Sequence, residues 1–111
     1  MTMSVQITFR DIDHSDAVDD RIREHAERLE KKFGERATSL HVTLSAPHHS
    51  ANKGRLYQFT LEFVVPKGEI VVRQGDGHGA DHSHEDVYVA LRDAFKSLER
   101  RTRDHFDKLS T

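Results

Sequence analysis

His78, Asp81, His82, His84, Glu85 and Asp86 form the densest set of possible metal ligands in the chain, in a stretch that also holds Gly75, Gly77 and Gly79. Zinc takes imidazole nitrogens and carboxylate oxygens, and a His-x-His step could offer two imidazoles from one loop. The spacing matches no familiar zinc module, no cysteine contributes, and ordering the glycines around an ion would cost about 1–2 kcal/mol of backbone entropy per residue. The expectation is a solvated loop with no metal and no cofactor, His78, His82 and His84 being the candidates should a metal bind. Gly75-Asp76-Gly77-His78-Gly79-Ala80 also fits the G-x-G-x-x-A form of a dinucleotide loop. That loop must open directly into a helix and be followed by another strand, whereas Asp81-His82-Ser83 intervenes and Asp76 and Asp81 would repel phosphate.

Catalysis has no better foothold. No spacing sets a nucleophile beside a base, and the carboxylates fall on helix exteriors rather than in a pair suited to acid–base exchange. The chain has no cysteine, which removes a thiolate nucleophile, a thiolate zinc site and a disulfide scaffold, and fits a reducing compartment. We expect no enzyme and no small-molecule substrate.

The cations are more informative. At about 100° per residue, Arg92, Lys96, Arg100 and Arg103 fall within one quarter of a helix, and Arg21, Arg28 and Lys32 share a narrow stripe on an earlier one. Such stripes face water with ion-pair partners at i+4, or they face a polyanion. Seventeen Lys+Arg against 19 Asp+Glu give a net charge of −2 with neutral histidines, so bulk charge alone offers no reason for a nucleic-acid partner. The distribution is uneven, however: residues 92–108 hold six basic and four acidic side chains, and residues 75–86 hold four acidic and no Lys or Arg.

The elements that position these residues follow from periodicity. Val5, Ile7 and Phe9 alternate with polar residues as a strand with one buried face. Ser15 caps a helix with Val18, Ile22, His25, Ala26, Leu29 and Phe33 on its apolar arc, ending at Gly34. Leu40, Val42, Leu44 and Ala46 make a second strand that stops at Pro47, and 48–54 is a polar connection. Tyr57, Phe59, Leu61, Phe63 and Val65 make a third, Pro66-Lys67-Gly68 a turn, and Glu69–Gln74 a fourth. Ser83 and Asp86 have capping-box spacing before a long helix with Val87, Leu91, Ala94, Phe95, Leu98, Thr102, His105 and Leu109 on its apolar arc. One apolar face per strand predicts an α+β two-layer sandwich, β-α-β-β-β-α, with a four-stranded sheet and both helices on one face. With 111 residues, we expect a single domain spanning 1–111. No apolar run approaches the roughly 20 residues that cross a bilayer, and the start lacks a secretory layout, so the expected location is cytoplasmic, away from membranes.

In this order of elements, Arg21-Ile22-Arg23, Leu29-Glu30-Lys31-Lys32-Phe33 and above all Asp86-Val87-Tyr88-Val89-Ala90-Leu91-Arg92-Asp93-Ala94-Phe95 followed by Leu98-Glu99-Arg100 resemble the ribosome hibernation-promoting factor and ribosome-associated translation inhibitor family. The likeness covers the whole chain. It is nearest to a subgroup with Ala46-Pro47-His48 after the second strand, Gly68 to Val72 as fourth strand and His82 to Tyr88 at the helix start, some of whose members carry a cold-shock domain. The resemblance implies a short-form hibernation factor, a non-enzymatic domain that binds the small ribosomal subunit in the channel of messenger and transfer RNA during stress or stationary phase. Its ribosomal-RNA contacts would map onto Arg21, Arg28, Lys32, Arg92, Lys96, Arg100, Arg103 and Lys108. In the second half of the second helix, where members of that family typically carry lysine, this chain has Ser97, Asp104 and Phe106. A short form would act as a monomer or weak dimer. The alternative reading is the same fold acting as a protein-interaction or metal-responsive module through the His-rich loop.

Overall fold

The computed structural model describes residues 3–34, 37–45, 49–50, 54–55, 57–74 and 87–109. In chain order these form β1 (Ser4–Arg10), α1 (Asp16–Phe33), β2 (Ser39–Ser45), β3 (His49–Ser50), β4 (Gly54–Arg55), β5 (Gln58–Val65), β6 (Gly68–Gln74) and α2 (Val87–Leu109). The fold is α+β, with a mixed four-stranded sheet in the order β1-β2-β5-β6. β1 runs parallel to β2, as a strand-helix-strand crossover requires, and β2, β5 and β6 form an antiparallel meander.

Register explains why one face is apolar. Val5, Ile7 and Phe9 lie beside Leu40, Val42 and Leu44, which face Phe63, Leu61 and Phe59; Phe63 and Leu61 in turn face Ile70 and Val72. Because side chains alternate, this whole set shares one side of the sheet. The helices cover it with Val18, Ile22, Ala26 and Leu29 from α1 and Leu91, Ala94, Phe95 and Leu98 from α2, all part of one core. The opposite side is polar: Thr8 Oγ1 meets His41 Nε2 at 2.9 Å, and His41 Nδ1 lies 3.6 Å from Glu62.

The caps are local. Ser15 is extended (φ −124°, ψ 116°) and accepts the Val18 N–H, so the first turn of α1 begins where expected. Gly34 closes it in the right-handed region rather than the left-handed one, and glycine is needed there because a Cβ would run into the Glu30 carbonyl. Between β5 and β6, Lys67 takes φ 67° after Pro66, the geometry of a type II turn.

Three sequence expectations change. The segment read as a polar connection contains the two-residue ladder of β3 with β4, pairing His49 with Arg55 and Ser50 with Gly54; no apolar alternation announces it. The fourth strand starts one residue early, since Gly68 pairs with Val65. On α2, Phe106 is buried while Leu109 is 45% exposed. The helix reaches the β5–β6 turn at His105, whose Nε2 lies 3.3 Å from the Pro66 carbonyl, so Leu109 has passed the end of the sheet. Phe106 instead turns toward α1 and packs on Phe33, ring centroids 5.7 Å apart. Ala46, Pro47, the Gly75–His84 loop and the Ser83–Asp86 capping box lie outside the described residues.

Candidate nucleic-acid interface

α1 and α2 lie side by side and run in the same direction. The Arg21 guanidinium sits 5.1 Å from the Tyr88 ring centre, His25 stacks on Phe95 with centroids 5.0 Å apart and planes 15° from parallel, Lys32 reaches Glu99, and Phe33 meets Phe106. Each pairing lies further along both helices than the one before. The two basic stripes therefore flank one groove.

Its main cavity measures about 360 Å³. His25, Leu29 and Phe95 line it between the helices, Arg28, Lys31 and Lys32 come from α1, and Arg92 and Lys96 from α2; Glu99 is the one carboxylate among the lining residues. Toward the start of both helices the groove continues past Arg21, Glu24, Tyr88 and Val89.

Of the sequence candidates, Arg28, Lys32, Arg92 and Lys96 line the cavity itself and Arg21 its extension. Arg103 reaches the groove through Glu99, while Arg100 is exposed on the same stripe of α2. Lys108 stands apart, about 160° around the helix from Arg92. The structure also brings in Lys31, His25, Phe95 and Tyr88, which the sequence reading did not assign to a site. For His25 a signal existed: its position falls between the basic stripe of α1 and the core arc.

Ion pairing divides the cations. Lys32 Nζ donates to Glu99 Oε1 at 2.5 Å and Arg103 Nη2 to the same oxygen at 3.1 Å. The Lys32 bond holds the Glu99 carboxyl below its ordinary range against the opposing effect of burial, with Arg103 adding to the lowering. Arg21 lies 3.6 Å from Glu24 and Arg92 3.5 Å from Asp93. Among the described residues, Arg28, Lys96 and Arg100 have no carboxylate within 4.0 Å. Burial, and then the charges of Arg28 and Arg21, pushes the His25 imidazole below its ordinary value, with Glu24 pulling weakly the other way. The groove therefore presents a neutral, partly apolar interior between positive walls.

Among the described residues no group of three or more His, Asp or Glu side chains could hold a metal ion, and no helix is long and apolar enough to cross a membrane. His78, His82 and His84 lie outside the described residues.

Solved structures share the fold, among them the following two. The N-terminal domain of Protein Y from Thermus thermophilus is 20% identical and superposes with a TM-score of 0.66, covering 95% of this chain and 99% of that one. A ribosomal subunit interface protein from Coxiella burnetii is 13% identical, with a TM-score of 0.69 and the same coverage of 95% and 99%. No curated protein matches. The family model described as sigma 54 modulation protein / S30EA ribosomal protein matches residues 5–110, nearly the whole chain. The chain belongs to that family, as its resemblance to the hibernation-promoting factors led us to expect.

Proposed function

We propose that this chain is a cytoplasmic, ribosome-associated hibernation factor that binds small-subunit RNA in the messenger and transfer RNA channel and silences translation without catalysing a reaction. Family membership supports the ribosome as partner. The observation that carries the RNA-binding part is the groove between α1 and α2, where Arg28, Lys96 and Arg100 have no carboxylate partner among the described residues. Each phosphate met by such a cation releases a counterion, so affinity rises with every contact and falls steeply with salt. A net charge of −2 for the whole chain does not oppose this, because screening shortens the reach of distant charges to about 10 Å at 0.1 M salt.

The test is cosedimentation with purified small subunits at low and moderate salt, repeated with messenger or transfer RNA as competitor. Binding at low salt that weakens sharply with added salt and is displaced by the competitors is the expected result. Absence of binding at low salt would refute the ribosomal assignment. Salt-independent binding would remove its electrostatic basis, and indifference to both competitors would move the site out of the channel.

A further inference from the structure

We propose that the cavity between α1 and α2 is a pocket for one nucleotide unit, with the base against His25, Leu29 and Phe95 and its phosphate between Arg28 and Lys96. The inference rests on the proposed function only for the case in which that nucleotide belongs to RNA.

A surface built merely to follow a phosphate backbone needs cations and little else. This groove has more. Its cavity of about 360 Å³ falls at the lower end of the range of small-molecule sites, about 300–1,000 Å³. The interior is supplied by an imidazole stacked on a phenyl ring, 5.0 Å apart and 15° from parallel, beside an aliphatic side chain. Phe95 is buried and holds the pair in place, whereas His25 is only half-buried and lines the cavity. Burial keeps the imidazole biased to its neutral form, so a base meets a flat ring that carries hydrogen-bonding nitrogens. A flat π-face over an apolar floor is what an unstacked base seeks, and it accepts any base.

The walls supply the other half of a nucleotide's chemistry. Arg28 and Lys96 lie on opposite helices and have no carboxylate partner among the described residues, so they can meet a phosphate without breaking an ion pair. Glu99 uses Oε1 for both Lys32 and Arg103. Its second oxygen is left to accept from an exocyclic amino group at the far end of the cavity, a contact open to adenine, guanine or cytosine and closed to uracil.

Two-dimensional NMR titration of the 15N-labelled full chain tests the pocket, with inorganic phosphate, ribose 5-phosphate, each of the four nucleoside monophosphates and a single-stranded hexaribonucleotide as probes. A nucleoside monophosphate should shift His25, Leu29, Phe95 and Lys96 with at least about fivefold higher affinity than ribose 5-phosphate, the lower end of what stacking one base contributes. His25→Ala should abolish that advantage while leaving the phosphate response, and His25→Tyr, which keeps a ring, should restore it. Equal affinity for phosphate, ribose 5-phosphate and nucleotide, or shifts confined to another surface, would overturn the pocket. Tighter binding of the hexamer at the same residues identifies RNA as the source, and tighter binding of the free nucleotide identifies a small effector. Salt-dependent cosedimentation of His25→Ala with small subunits, if retained while the base preference is absent in the native chain, would leave the ribosomal reading standing and remove only the pocket.

Discussion

Lys32 Nζ lies 2.5 Å from Glu99 Oε1, tying the last turn of α1 to the middle of α2 and placing the only carboxylate of the main cavity's lining against two cations, since Arg103, outside that lining, shares the same oxygen. Glu99→Gln should therefore raise affinity for small-subunit RNA, because Lys32 and Arg103 become available to phosphates. If both make contacts, the slope of log affinity against log salt steepens by about 0.7–0.9 for each. The Glu99 side chain is 30% exposed and that of Lys32 50%, so loss of the pair should cost at most about 1 kcal/mol of stability. An unchanged slope in a salt series would show that these two cations do not meet phosphate.

Arg28 and Lys96 line the cavity from different helices, whereas Lys108 lies on the other flank of α2. Arg28→Glu combined with Lys96→Glu should weaken binding by at least about tenfold at low salt and flatten the salt dependence. Lys108→Glu should have a smaller effect on both. Quantitative pelleting of the variants beside the native chain decides this, and equal losses for Lys108→Glu and the double variant would mean that the RNA surface is not centred on the groove.

The sheet was legible in the sequence because Phe59, Leu61, Phe63 and Val65 recur at every second position, and a buried face leaves no other register open. The α1 cap was equally plain, Ser15 being a local signal with a local partner. The basic stripes were legible as stripes, but not as two sides of one groove, since that depends on the direction and spacing of two helices far apart in the chain. His25 and Phe95 look like ordinary core positions on their separate helices. Only their parallel stacking makes a floor. Phe106 was missed for another reason: a ring on α1, Phe33, packs on it, and a single-helix apolar arc does not reveal that partner.

Phe106 is 7% exposed and packs on Phe33, so its role is structural. Phe106→Ala should destabilise the protein by about 3 kcal/mol, the lower end for removal of a buried phenyl ring. Phe106→Lys should be at least as damaging, because the ammonium cannot be buried there, and should not raise RNA affinity in proportion to its charge. Urea unfolding measures the first effect. A stable Phe106→Lys variant that binds small subunits more tightly would show that the α1–α2 contact is dispensable at this end.

His25 links stability to pH through the same groove. Burial first, and then Arg28 and Arg21, lowers its pKa in the folded chain below the ordinary value of a histidine, against the weak pull of Glu24. From α2 the charged groups lining the same cavity are Arg92, Lys96 and Glu99. The unfolded chain therefore takes up this proton more readily than the folded one. The stability gained by keeping His25 neutral is fully present above its ordinary pKa and drains away as pH falls through the lower folded value. His25→Phe keeps a ring on Phe95 and removes the proton, so its melting temperature should fall less than that of the native chain between about pH 7.5 and about pH 5.5. Phosphates bound in the groove reverse the sign locally, since a nearby polyanion favours the charged imidazole. The native chain should then gain more RNA affinity than His25→Phe over the same pH interval at fixed ionic strength. Parallel pH profiles of the two proteins, in both melting temperature and affinity, would refute the coupling, because the only titrating group that the substitution removes is this imidazole.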